Sequence, residues 1–337
     1  MGETPHDAID SRLIEDWQRN LPLVSRPFAA IADALEITEA SVLERLRALA
    51  ASGFIARVGG VVRPNTLGAS TLAAIAAPPL RIDAVARDLA SINGINHVYL
   101  RENEWNLWFV VTGPDRNHVD SVLRDVARST GERVIDLRLE RPYHIDLGFK
   151  LSERERPRRH ADPGMPTAPC GQDFAFARSD RALVQALTEG LAIVPRPFEA
   201  VAAALGTNEA AVIERLSALV AAGVVPRIGV IVRHRALGWR SNAMVVWDVE
   251  PALIDHAGAA LSSVPGINLC YRRRRHARDW PYNLYCMVHA RSREEAFEVL
   301  QSASQTAGLD GLPRQILFSL RCFKQTGALV QSGREAA

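Results

Sequence analysis

Apolar residues recur at helical spacing in "PFAAIADALEI" and again in "EASVLERLRALAASG", with a short polar break between the two runs. Thr38, with Glu39 and Ser41 near it, is placed to cap the second helix, and Gly53 to stop it. The spacing then changes to the alternation of a strand in "FIARVGGVV". Helix, break, helix and strand form a winged helix-turn-helix pattern. Further along, "SNAMVVWDVE" predicts a strand and "ALIDHAGAALSSV" a helix. "INLCYRR" and "YNLYCMVHA" predict two strands, "REEAFEVLQSAS" a helix, and "RQILFSLRCF" a closing strand.

That order, β-α-β-β-α-β, is the ferredoxin-like plan, and the same order runs from "STLAAIAA" to "RVIDLRLERPYHI". The chain is therefore a repeat. "LPLVSRPFAAIADALEITEASVLERLRALAASGFIARVGGVVRPNTLG" aligns without a gap on "LAIVPRPFEAVAAALGTNEAAVIERLSALVAAGVVPRIGVIVRHRALG", at an offset of 170. Arg26-Pro27-Phe28, Glu44-Arg45-Leu46, Arg57 and Gly59 match Arg196-Pro197-Phe198, Glu214-Arg215-Leu216, Arg227 and Gly229. The fold class expected is α+β, a tandem repeat of a winged helix-turn-helix and a ferredoxin-like domain. The boundaries expected are 10–68 and 69–150 for copy one, a Pro- and Arg-rich linker over 151–178, then 179–238 and 239–330 for copy two. The two ferredoxin-like parts should pair, face to face or edge to edge, as an intramolecular pseudo-dimer.

Composition narrows the function. The 337 residues suffice for about two domains. A net charge of +2 argues against a strongly basic nucleic-acid binder. Of the 40 basic residues only Lys150 and Lys324 are lysine. Arginine grips carboxylates better, because its planar fork donates two parallel hydrogen bonds. The helices that would read DNA carry Glu39 and Glu44 against Arg45 and Arg47, and Glu209 and Glu214 against Arg215, with no Lys, Asn or Gln inside them. Four cysteines without C-x-x-C or zinc spacing fit a reduced, cytoplasmic protein and no metal site. The N-terminus has no apolar run of a signal peptide, and nothing reaches the ~18 apolar residues of a membrane span. No G-x-G-x-x-G, Walker loop or pyridoxal-phosphate lysine context appears.

The helix-turn-helix and ferredoxin-like pairing resembles the Lrp/AsnC regulators. "IVRHRALGWRSNAMVVWDV", "CYRRRRHARDWPYNLYCMVHAR" and "FSLRCFKQTG" resemble one half of the siroheme decarboxylases, and "VYLRENEWNLWFVVTG" and "ERPYHIDLGF" the other half. The resemblance covers nearly the whole chain apart from the N-terminal tail and the linker. It implies two homologous Lrp/AsnC-like subunits fused in one chain. The implied activity is removal of the C12 and C18 acetate carboxyls of siroheme, giving 12,18-didecarboxysiroheme on the way to heme d1 or to heme by the alternative route. It implies siroheme as substrate, no separate cofactor, and association of the two halves. A further homo-oligomer, or a complex with homologous decarboxylase subunits, stays open. A Lrp/AsnC-type transcription regulator and a tetrapyrrole-binding sensor are the alternatives.

Such a substrate is a flat macrocycle with eight carboxylates, so arginines, aromatics and a proton donor become the candidates. On a strand, Tyr271, Arg273 and Arg275 share one face and Arg272 and Arg274 the other; Tyr99 and Arg101 are the copy-one counterparts of Tyr271 and Arg273. Arg57 and Arg227 in the wings, Arg141 and Arg321 in the closing strands, and Arg240 after Trp239 are further candidate carboxylate grips. Trp105 and Trp280 are placed to lie against the macrocycle. His144, with Tyr143 before it, His234 and His97 are the candidate acids. The copies differ at 144/324 (His against Lys) and 64/234 (Pro against His), so the two pseudo-sites should not be equivalent. Whether a histidine donates a proton or ligates the substrate iron stays open at this point.

Overall fold

A computed structural model describes residues 7–145, 174–276 and 278–331. Copy one contains α1 (Ala8–Asp16), α2 (Pro27–Leu35), α3 (Glu39–Ala51), β1 (Ile55–Val61), β2 (Ala69–Ile75), α4 (Ile82–Ser91), β3 (Ile95–Arg101), β4 (Leu107–Gly113), α5 (Arg116–Thr130), β5 (Val134–Leu137) and β6 (Leu139–Ile145). Copy two contains α6 (Asp180–Glu189), α7 (Pro197–Leu205), α8 (Glu209–Ala221), β7 (Arg227–Val232), β8 (Ser241–Trp247), α9 (Ile254–Ser262), β9 (Ile267–Arg273), β10 (Leu284–Ala290), α10 (Arg293–Thr306) and β11 (Arg314–Gln325). Most of the linker expected over 151–178 lies outside the described residues.

The compact units do not follow the copies. One unit holds Met1–Leu67 with Gly148–Gly238, and the other holds Gly68–Leu147 with Trp239–Ala337. Each unit therefore combines matching parts of both copies.

In the first unit the wings β1 and β7 pair antiparallel, with Gly59 opposite Gly229. The repeated glycine has a physical cause. A Cβ on Gly59 would meet the carbonyl oxygen of Leu187 at 2.4 Å, and one on Gly229 that of Trp17 at 2.4 Å. Each wing is approached by the other copy: Leu191 N–H donates to Val58 O, and Val230 N–H to Trp17 O. Thr38 Oγ1 caps α3 by accepting from Ser41 N–H, and Gly53 takes φ +82° after it, as its sequence predicts. Helices α1 and α6 were not expected. They anchor the arginine repeated in Glu-Arg-Leu. Arg45 Nη1 lies 2.7 Å from Asp7 and 2.8 Å from Asp10, and Arg215 Nε and Nη2 lie 2.7 and 2.6 Å from the two oxygens of buried Asp180.

In the second unit each copy forms a four-stranded ferredoxin-like sheet, β5-β2-β4-β3 and β11-β8-β10-β9. The closing strands join them. β11 pairs with β8 over Arg314–Phe318 and then with β3 over Ser319–Gln325. β5 pairs with β2, and after Arg138 the chain continues as β6, which pairs with β9. The nine strands run β5-β2-β4-β3-β11-β8-β10-β9-β6, and the two end strands are consecutive in the chain, so the sheet closes on itself. The expected edge pairing of the two ferredoxin-like parts is this closure.

Alternation sorts the side chains. Ala243, Val245, Trp247, Cys286 and Val288 pack under α9 and α10; Ala73, Ile75, Phe109 and Val111 pack under α4 and α5. The opposite, inner face carries Trp105, Trp108, Met244, Val246, Trp280, Tyr285 and Leu317. Two asparagines pin this frame. Asn106 exchanges two hydrogen bonds with the backbone of Ala77, and Asn283 does the same with Val249. The Asn of "WPYNL" is thus a backbone clamp. Asn283→Ala should strand the Val249 N–H without an acceptor and lower stability by about 2–3 kcal/mol, read as an earlier urea midpoint at unchanged slope.

Candidate active site

The inner face of the closed sheet brings together the paired residues that the sequence singled out. Arg101 donates from Nη1 to Leu317 O at 3.0 Å, and Arg273 from Nη1 to Leu137 O at 3.0 Å. Leu317 and Leu137 occupy matching places on the two closing strands, so the contacts are copies of one another. Each guanidinium also lies over the tyrosine two residues earlier, 5.5 Å from the Tyr99 ring and 5.1 Å from that of Tyr271. Arg272 points to the other face, toward Glu140 at 2.8 Å. Arg275 does not join Arg273; it pairs with Asp248 and donates to Pro281 O and Val249 O. Arg274 is exposed.

The Nε of Arg273 is buried and has no acceptor among the described residues, and Arg273 forms no ion pair there. Burial pulls its pKa down, with the Tyr271 and Tyr285 rings and Asp136 opposing. The same burial pushes the phenols of Tyr271 and Tyr285 up, against the nearby guanidinium. A desolvated cation with no carboxylate in contact favours an anionic ligand, because an incoming carboxylate supplies the missing contact.

Several expected grips are committed elsewhere. Arg141 pairs with Asp255 at 2.8 Å, and Arg321 with Asp83 at 2.8 Å, both on the helix-covered outside. Tyr143 also lies there: it packs under α9, donates to Asp255, and is buried. Its place under a helix removes it from the inner face, a correction to its expected catalytic part. Trp280 is 3% exposed, stands edge-on to Trp108 at 5.1 Å and donates to Tyr285 Oη at 2.8 Å. It fills the core with Trp105 and presents no open ring face, which corrects the macrocycle contact expected of both. Arg240 is exposed at the start of this unit.

His97 is half-buried on β3, its ring stacked near that of Tyr99 with centroids 6.2 Å apart. His144 is half-buried on β6, opposite Cys270 of β9. His289 on β10, not among the candidates read from the sequence, is 5% exposed and hydrogen-bonded to Asn242 and Asn268. Its alternation with Tyr285 and Met287 was legible, but a histidine at a strand end carries no signal of its partners.

Arg57, Arg227 and His234 belong to the other unit. Arg227 is buried and donates to Gln18 O at 2.6 Å and Val230 O at 3.3 Å, which makes it a wing clamp. Arg57 is half-buried, and its Nε has no acceptor among the described residues. Burial and then Arg235 depress His234 to about 4. At that value the imidazole of the free protein is neutral at pH 7. Because the folded pKa lies below the unfolded one, the folded protein binds fewer protons between pH 6.5 and 4, and stability is lost as pH falls through that window. The stability of wild type relative to His234→Gln should drop by about 2–3 kcal/mol from pH 7 to pH 4.5 in urea titrations.

Two family models match. The AsnC-like ligand binding domain covers residues 66–144 and 236–324, and the siroheme decarboxylase NirDL-like HTH domain covers 10–55 and 180–225. The siroheme decarboxylase NirDL subunit of Paracoccus pantotrophus is 51% identical over 326 residues, 96% of this chain and 98% of that one. The siroheme decarboxylase NirD subunit of Pseudomonas aeruginosa is 44% identical over 145 residues, 43% of this chain and 97% of that one. The fold matches a crystal structure of the siroheme decarboxylase NirDL in co-complex with an iron-uroporphyrin III analogue, with a TM-score of 0.65 at 24% identity, covering 95% of this chain and 92% of that one. Two-copy architecture, matching helix-turn-helix and AsnC-like segments, and 51% identity along nearly the full length agree: the chain belongs to the siroheme decarboxylase family, in its fused NirDL form.

Proposed function

We propose that this siroheme decarboxylase removes the acetate carboxyls at C12 and C18 of siroheme, releasing two CO2 and leaving two methyl groups, on the way to heme d1 or heme. The observation that carries the reading of the site is the desolvated Arg273 guanidinium on the inner face, with no ion-pair partner among the described residues. Arg101, at the matching place in copy one, is the second carboxylate grip. Tyr99 and Tyr271 lie beside these cations and share their sheet face.

The chemistry needs protons and an electron sink. In each step a proton adds to the macrocycle beside an acetate arm, the bond from the arm's methylene carbon to its carboxylate breaks, and CO2 leaves. The electron pair of that bond passes into the protonated ring system. A second proton then reaches the methylene carbon, the ring returns its first proton, and a methyl group results with one net proton consumed. The substrate serves as its own electron sink, so the reading requires no separate cofactor. His144 and His97 are the proton-donor candidates within the sheet unit, and one of them ligating the substrate iron is the other use of the same side chains.

A regulator reading is disfavoured by the charges of the helix-turn-helix pair. Arg26 and Arg196 pair with Glu39 and Glu209 at the starts of α3 and α8, Arg45 and Arg215 pair with aspartates, and Arg47 donates to Ile193 O at 2.6 Å. The arginines of α3 and α8 are thus committed within the protein rather than offered to phosphates. Anaerobic incubation with siroheme should give a product lighter by two CO2 in mass analysis, and the protein should shift no promoter DNA at physiological salt. Tight, steeply salt-dependent DNA binding without CO2 loss would support the regulator. Binding without CO2 loss or DNA affinity would make the protein a sensor.

The residue roles give two further outcomes. Arg273→Ala should weaken siroheme binding by about 1.5–3 kcal/mol, and Arg273→Lys should recover only part of it, because an ammonium cannot replace the fork. His144→Ala should slow single-turnover CO2 release at least ~100-fold. Normal turnover by that variant would move the acid to His97, Tyr99 or Tyr271.

A further inference from the structure

Polar side chains from four strands form a row on the inner face. Arg101 Nη1 on β3 lies 3.3 Å from Asn242 Oδ1 on β8. Asn242 Nδ2 lies 2.7 Å from His289 Nε2 on β10, and His289 Nδ1 lies 3.0 Å from Asn268 Oδ1 on β9. Arg101, Asn242 and His289 are 6%, 4% and 5% exposed. Such a row carries a desolvation cost that apolar side chains would avoid, and its neighbours Met244 and Val246 are apolar.

The row has one direction. A guanidinium only donates, so the oxygen of Asn242 faces Arg101 and its NH2 faces His289. His289 Nε2 must then accept, so Nδ1 carries the proton and donates to Asn268. Both neighbours hold the imidazole in that tautomer. Protonating Nε2 would set two donors face to face. This is the arrangement of a spacer that relays orientation, and it leaves neither ring nitrogen placed to hand a proton to a substrate.

The row exists in one copy only. The places matching Arg101, Asn242, His289 and Asn268 are held by Arg273, Ser70, Thr112 and Asn96. Thr112 Oγ1 instead accepts from Leu329 N–H at 2.9 Å and lies 3.4 Å from Gly94 O. Arg101 Nη1 commits its two protons to Asn242 Oδ1 and Leu317 O, which fixes the plane of its fork. Arg273 has the Leu137 carbonyl as its matching contact, without an amide.

We propose that Asn242 and His289 are positioning residues for Arg101, so that a guanidinium from copy one is locked over the copy-two sheet as the oriented grip for one substrate carboxylate. The inference rests on the siroheme reading above. It predicts unequal arginines: Arg101 rigid and directional, Arg273 a looser charge.

The test is steady-state and binding analysis of the full chain with siroheme. His289→Leu and Asn242→Leu should each raise KM at least ~10-fold with kcat changed by less than ~3-fold. His289→Gln should recover most of that loss, because its carboxamide oxygen accepts from Asn242 while its NH2 donates to Asn268. In an Arg101→Ala background, His289→Leu should add less than ~2-fold. A ~100-fold fall in kcat for His289→Gln would overturn the proposal and make His289 the acid. An unchanged KM for His289→Leu would overturn it too. Should the leucine variants fail to fold, Asn242→Ser, too short to reach Arg101, must show the same rise in KM or the proposal fails. Wild type that binds siroheme but releases no CO2 would sink the decarboxylase reading alone; the row is then read from siroheme Kd, which must rise in His289→Leu and recover in His289→Gln.

Discussion

The second unit depends on two antiparallel strand exchanges. Each copy ends in a strand that begins on its own sheet and finishes on the other copy's: β11 moves from β8 to β3, and the β5–β6 segment moves from β2 to β9. A ferredoxin-like sheet alone would leave an edge of unpaired N–H and C=O groups at β3 and at β9. Exchange satisfies both edges with backbone hydrogen bonds and closes the sheet. An inner face then exists that neither copy can make alone. It also carries Arg101 of copy one to Asn242 of copy two, since β11 lies between their strands and its Leu317 carbonyl completes the contact.

The arginines divide by environment. Those on the outside meet carboxylates: Arg141 and Arg272 near Asp255, Arg275 with Asp248, Arg321 with Asp83. These pairs are exposed and contribute little stability. Arg101 and Arg273, on the inner face, meet carbonyls, an amide and aromatic rings. Arg273 has no ion-pair partner among the described residues, which is costly to the fold and favourable for an acidic ligand. The stretch "YRRRR" thus contains an inner-face cation, an ion-paired neighbour on the other face, a solvated residue and a turn clamp within four positions.

The two copies keep their frame and diverge in their chemistry. Gly59 and Gly229, Asn106 and Asn283, and Arg45 and Arg215 do the same work in both, since each answers a close approach or a buried backbone group that recurs with the fold. Asn242 and His289 against Ser70 and Thr112, and His144 against Lys324, do not recur. Duplication supplied two equivalent sheets; the substitutions make them unequal.

The sequence by itself determined the repeat, the helix-turn-helix and βαββαβ orders, and the sheet face shared by Tyr271 and Arg273. Each of these follows from local periodicity, capping or register, which short stretches of chain dictate. Helices α1 and α6 escaped it because their short apolar patterns are weak, and their anchors are aspartates meeting arginines 35 to 38 residues away. Tertiary structure alone decided which arginines are spent. Arg141, Arg227 and Arg273 read alike as candidate grips, yet one faces a helix aspartate, one a carbonyl of the other copy and one of its own wing, and one a carbonyl and tyrosine rings on the inner face. Tertiary structure also turned Trp280 and Tyr143 into packing residues and joined His289 to Arg101. A side chain's partner across strands depends on which edges pair, and that is fixed by the exchange of closing strands between copies.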